Sequence, residues 1–441
     1  MLAVVLLALQ QPVPPSSEPP ATAPDTVAGR PCVVDIDSVG HQARQVEIGG
    51  GAQNIFAGGG VYAHCRGTGT TLRADSMVWF AMDNRLDMLG RVRIRDTSLV
   101  LDANLVNYYR LAERLEAHHN VVAVNPHNGS VLRGPNLTYW RVVGGLRDTV
   151  EMYATQRPTI DYRGAGAVDS AEPYVIVADR VRLKGSDRMW AGGKATIDRS
   201  DFGARGDSMQ LDQTAGVGIL IGSPRVQGKG AQGYTLTGTR IEMGLTNREI
   251  RLVKALGDGT ATSADWTLTA DTIHVLIERR KLQQAFAWGA TSRPHAVSAL
   301  QDIQADSLAL DAPEQVLTEA RGFGEAFSRS KRDSTSGPAD TDWITGDTLT
   351  ARWSREPDSV GVLRSRIRRI VARGSARALT HLYNGRDSTA PSLTYSRGAS
   401  IDIALKRARI DRVIVGGRAD GVHLERRPPA PPDTAAKQDS T

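Results

Sequence analysis

Six aspartates recur in one local setting: Asp75, Asp179, Asp207, Asp271, Asp306 and Asp347. Carboxylates paired at about 5–9.5 Å carry glycoside hydrolysis, so a converging set would suit a carbohydrate-active enzyme. Regular recurrence argues for a turn-forming role instead, because catalysis needs one special pair rather than a series. Cys32, His41, His64 and Cys65 could on paper hold zinc, but two cysteines exclude a four-cysteine module, and no metal is expected. Gly228-Lys-Gly-Ala-Gln-Gly233 formally matches a nucleotide fingerprint. Tyr234-Thr-Leu-Thr beyond it reads as strand, so the helix that would face a phosphate is missing. No Gly-x-Ser-x-Gly elbow and no His-Glu-x-x-His pair occurs. The expectation is a binding or structural protein with no catalytic residues and no cofactor.

The aspartates belong to a repeated unit. Leu72-Arg-Ala-Asp-Ser-Met-Val-Trp79 sets a pattern of apolar, any, small, Asp, any, apolar, any, apolar. Ile176-Val-Ala-Asp-Arg-Val-Arg-Leu183, Leu268-Thr-Ala-Asp-Thr-Ile-His-Val275 and Ile303-Gln-Ala-Asp-Ser-Leu-Ala-Leu310 repeat it. Looser copies start at Leu101, Leu132, Ala204, Leu236 and Ile344, and a degenerate one at Ser396, at intervals of about 28 to 52 residues. Alternate residues of a strand share a face, and here the apolar parity flips between Ala74 and Asp75. A bend or bulge at that point re-aims the following side chains inward, and the small residue and Asp suit the corner. Return segments such as Leu86, Met88, Gly90, Val92 and Ile94 alternate with period two. The stretch 105–117 could pass for a helix, yet Tyr108-Tyr109 and its place in the repeat favour strand. The fold class is therefore all-β, an elongated stack of antiparallel strands.

Composition is consistent with that reading. Of 441 residues, 44 are glycine and only 23 are Phe, Trp or Tyr, and no apolar run approaches the ~18 residues of a spanning helix. The net charge of +6 is spread along the chain, unlike the concentrated face of a nucleic-acid binder. Residues 1–11 read as a signal-peptide-like segment without a charged start, 12–30 as a Pro/Ser-rich linker and 427–441 as a disordered tail. Between them lie an N-terminal unit over 31–160 and further repeats over 161–426, with a break expected near 155–175. Export would place Cys32 and Cys65 in an oxidising compartment, where a disulfide between them could stabilise the first strands by roughly 3 kcal/mol. Two unrelated thiols are the alternative.

The repeated Leu72-Arg-Ala-Asp, Ile176-Val-Ala-Asp, Leu268-Thr-Ala-Asp and Ile303-Gln-Ala-Asp steps, with the Gly90-Arg-Val92 return, resemble the OstA-like family. This family comprises LptA and the periplasmic N-terminal part of LptD. The match is best over about 52–140 and weaker copies extend it to about 425. The resemblance implies a V-shaped β-jelly-roll of two sheets whose apolar groove carries lipopolysaccharide acyl chains across the periplasm. It also implies end-to-end stacking with other OstA-like components, and contact with the outer membrane through partners only. The chain lacks the aromatic-flanked strands of a lipid-facing barrel, so it resembles a long LptA-like carrier more than LptD. Met77, Trp79, Val106, Tyr108, Leu137, Tyr139, Val181 and Leu183 occupy equivalent inward positions after the bend, with Leu86, Met88, Leu115 and Met189 on return strands. These twelve are either groove or plain core. Arg91, Arg93 and Arg95, and the run Arg364, Arg366, Arg368 and Arg369, would face lipid phosphates or simply solvent. A structural or adhesive β-solenoid with a closed core is the competing reading.

Overall fold

Period-two alternation in the sequence becomes strand almost everywhere in the computed structural model. The structure describes residues 32–163, 172–230, 233–246, 249–330, 341–357, 363–382, 391–406 and 409–425. The segments 1–11, 12–30 and 427–441 lie outside the described residues. Among the described residues thirty strands form one hydrogen-bonded antiparallel array, and the helical elements are two short 3₁₀ turns, Arg110–Ala112 and Pro313–Gln315. The ambiguous stretch 105–117 falls in two strands, Val100–Tyr109 and Arg114–Val124, joined by the first of those turns.

Fourteen strands run unbroken around a corner, and the other sixteen join end to end in pairs, so the thirty strands make twenty-two bent rungs. Each rung between the first and the last pairs with the one before and the one after. The pairing continues across the expected break, from Thr159–Tyr162 to Tyr174–Val177. At ~4.8 Å per rung the ladder is on the order of 100 Å long. Because every rung bends, its halves fall in two layers. Segments 76–80, 85–89 and 105–109 pair in layer one, and 71–74, 92–95 and 100–103 in layer two. The two layers bury one shared apolar core, including Val61, Met88, Leu101, Val106, Leu220, Leu268 and Ala372.

The corners alternate between two chemistries. On one set of rungs the inward residues step by three across the corner, as from Ala74 to Met77, and the aspartate sits at the flip. On the next set they step by four, as from Met88 to Val92, and two consecutive residues adopt positive φ. Those pairs include Gly90-Arg91, Gly193-Lys194, Gly222-Ser223, Gly324-Glu325 and Gly374-Ser375. Gly90 and Arg91 then oppose the single residue Asn104 of the next rung, which is a β-bulge. Asp75, Asp179, Asp207, Asp306 and Asp347 each fill the space over the glycine of the following rung. A Cβ placed on Gly90, Gly193, Gly222, Gly324 or Gly374 would lie 2.1–2.5 Å from the facing carboxylate oxygen. Asp271 works differently: it accepts the Ser292 hydroxyl at 2.6 Å and the Thr291 amide at 2.7 Å. These bonds hold its carboxyl at about 2, below the ordinary 3.8. The aspartates therefore recur at the corner in six of the eleven pairs of rungs, which suits the turn role.

Candidate functional site

Corners close one long side of the ladder. Along the other side, the seam, the strand ends of the two layers face each other, and what spans it decides whether the core is sealed. Near the N-terminus the seam is bolted by polar groups. The disulfide Cys32–Cys65 fixes the chain start to layer two. Glu113, buried and left-handed at φ 46°, accepts the Cys32 amide and the Tyr108 hydroxyl, each at 2.7 Å. Arg141 donates to Thr70 at 2.9 Å and lies 3.4 Å from Asp96 and 3.8 Å from Glu113. Burial and the Glu113 charge push the Tyr108 phenol well up, and burial and the Asp96 charge push Tyr139 up to about 12. Both phenols are therefore locked in the neutral, hydrogen-bonding form.

Ten of the twelve groove candidates are buried in the shared core: Met77, Leu86, Met88, Val106, Tyr108, Leu115, Leu137, Tyr139, Val181 and Met189. Trp79 and Leu183 are partly buried against it. Of the twelve, Met189 lines a cavity between the layers.

That cavity, of about 60 Å³, lies between the layers in the middle of the ladder. Tyr162, Tyr174, Ile176, Ile197 and Phe202 line it from layer two, and Met189, Met209, Leu211, Met243, Leu245 and Ile250 from layer one. Water needs ~10–15 Å³ of such space, so about four water-sized groups fit. The wall is apolar and rich in methionine, whose unbranched side chain repacks readily. Three of the chain's eight methionines are here.

A glycine, Gly218, borders the space. Across the rungs of layer one, Met189 pairs with Leu211, Leu211 with Gly218 and Gly218 with Met243. Gly218 has no strained backbone; a Cβ there would touch the Met243 methyl at 3.0 Å and Leu211 at 3.8 Å. At the seam side the mouth is polar. Gln213 from layer one donates to the Tyr162 hydroxyl of layer two, and Arg280 lies 3.8 Å from Asp201. Arg199 binds Asp201 at 2.5 Å and covers the Tyr174 ring at 4.3 Å. The Tyr174 hydroxyl is buried beside the cavity without a hydrogen-bond partner, and burial pushes its pKa up. An unpaired buried hydroxyl is costly, and a polar group on a guest would relieve it.

Of the residues around this cavity, sequence reasoning finds Met189 and misses Met209, Gly218 and Met243. The signal was present: Met209 occupies the first inward position after the bend in the looser copy beginning at Ala204, and Met243 the second in the copy beginning at Leu236. Nothing in the sequence alone marks Gly218, whose effect depends on register. The proposed phosphate contacts are outside this site. Arg91 is bound to Asp75, Arg93 to Asp102 and Arg369 to Asp402, and Arg368 bonds Ser354. No known protein-family model matches the chain, and no curated protein is significantly similar to it in sequence.

Proposed function

We propose that the chain is a non-enzymatic periplasmic carrier of lipopolysaccharide or a related glycolipid, holding acyl chains in the apolar space between its two layers. The observation that carries this reading is the cavity beside Gly218, apolar in its wall, lined by three methionines and polar at its mouth. Acyl chains are retained by apolar contact, at ~25 cal/mol per Å² buried, which needs no catalytic group. A cavity this small holds a few methylenes, so a longer chain requires the methionines to repack and the Gln213–Tyr162 contact to part. In this reading the architecture is the OstA-like jelly-roll, and the ladder supports outer-membrane biogenesis as a bridge. Its first rung, Val34–Val39 with Gln42–Gly49, and its last, Arg409–Gly416 with Asp420–Leu424, each pair on one side only among the described residues. Open edges of this kind accept further strands, here those of other OstA-like components.

The competing scaffold reading, a structural or adhesive solenoid at the cell surface, is favoured by the bolted seam around Glu113 and Arg141. Photo-methionine incorporated at 209 and 243 separates the two. A carrier gives lipid adducts at both positions and copurifying glycolipid by mass spectrometry. Unlabelled protein with no extractable lipid means scaffold.

A further inference from the structure

The outer face of layer one carries a pattern that the interior site does not use. Antiparallel register places five side chains in one row beside the seam: Phe80 opposite Arg85, Arg85 opposite Tyr109, Tyr109 opposite Arg114, and Arg114 opposite Trp140. All five point outward, since their neighbours Trp79, Leu86, Tyr108, Leu115 and Tyr139 pack into the core, and all are half-buried. Aromatic rings thus recur on every second rung, roughly 10 Å apart by ladder spacing. The guanidinium of Arg85 lies 4.6 Å from the Phe80 ring centre, and that of Arg114 lies 4.2 Å from Tyr109.

The adjoining row is polar and holds the arginines. Asp87 accepts from Arg85 at 3.0 Å and from the Asn107 amide at 2.6 Å, and Glu116 lies 3.1 Å from Arg114. Each cation is therefore matched by a carboxylate of the next row, and the strip is charge-balanced. A nucleic acid or anionic lipid surface would need unmatched positive charge. What fits is an extended, uncharged, hydroxyl-rich molecule: the aromatic surface left beside the guanidiniums packs on its C–H groups, and carboxylate, amide and guanidinium groups exchange hydrogen bonds with its hydroxyls. A partner with a repeat of about 10 Å would meet successive rings in the same way. We propose that this strip, from Phe80 to Trp140, is a docking surface for a linear neutral polysaccharide, independent of the interior cavity.

Native gel electrophoresis in the presence of soluble dextran, galactomannan or hydroxyethylcellulose tests it with the full chain. At least one polymer retards the wild type. The double variant Tyr109→Ala, Trp140→Ala, with unchanged circular dichroism, is retarded about tenfold less, equivalent to about 1.4 kcal/mol. The pair Arg85→Gln, Arg114→Gln serves as a second variant if the first fails to fold. The tryptophan emission of the wild type should also shift on adding the retarding polymer. Free migration in all three polymers overturns the proposal, as does equal retardation of wild type and variants. Concentration-dependent dimerisation lost in Trp140→Ala would instead assign the strip to a second copy of the chain.

Discussion

Replacing Gly218 by valine separates the two demands placed on the middle of the ladder. The new side chain enters the cavity of about 60 Å³ beside Met243 and Leu211. At ~24 cal/mol per Å³, closing that space is worth on the order of 1 kcal/mol. Replacing glycine within a strand adds about 0.5–1 kcal/mol through the unfolded chain. Against this stands the 3.0 Å approach to the Met243 methyl, which a rotamer change relieves at about 0.5–1.5 kcal/mol. The net expectation is a protein as stable as the wild type or about 1 kcal/mol more stable. Hydrogen exchange over 208–221 reads this locally, which matters because stacked arrays need not melt as one unit. Lipid binding should move the other way. Excluding three methylenes at ~0.8 kcal/mol each costs roughly 2.4 kcal/mol, a loss of about fifty-fold in retention. Faster exchange over 208–221 would show that the cavity is not free space. Unchanged lipid retention in a stable variant would refute the assignment of this cavity to acyl chains.

Three further outcomes are expected. Gly374→Ala puts a Cβ at φ 74° against Asp347, and thermal unfolding should show a loss of about 2 kcal/mol or more; adding Asp347→Gly should restore roughly half by removing the clash but not the strain. Reducing Cys32–Cys65, or replacing both by serine, releases a link spanning 33 residues and should destabilise the N-terminal rungs by roughly 3–4 kcal/mol, read as faster exchange over 34–65 with little change beyond 200. Asp271 titrates near 2 when folded and near 3.8 when unfolded, so its stabilising effect is complete above about pH 4 and is lost as pH falls through about 2. The wild type should therefore lose stability across that window more steeply than Asp271→Asn in acid titration followed by circular dichroism.

Much of the fold was legible because its determinants are local. The small-residue–Asp step and the parity flip after Ala74 identify a strand that turns, and the absence of a 3.6 period excludes helix. The partner of each aspartate was not legible. Gly90 lies 15 residues after Asp75 and Gly374 lies 27 after Asp347, so no fixed spacing advertises the contact that register creates. The same limit applied to the site. Met77, Met88 and Met189 look equivalent in sequence, but only Met189 stands in a row that contains Gly218. Whether an inward apolar row is core or cavity depends on volumes summed across both layers, which alternation along one strand does not encode.

The alternating corners also govern how such a protein can change size. At five corners an aspartate rung and a glycine rung are complementary halves, the carboxylate filling the space that the glycine leaves. Deleting or duplicating a single rung would set carboxylate against carboxylate, or leave a left-handed bulge without its filler. Length is thus counted in twos, about 10 Å at a time. A ladder of this kind lengthens or shortens by whole couplets, and each couplet brings its own stretch of interior and its own stretch of outer face.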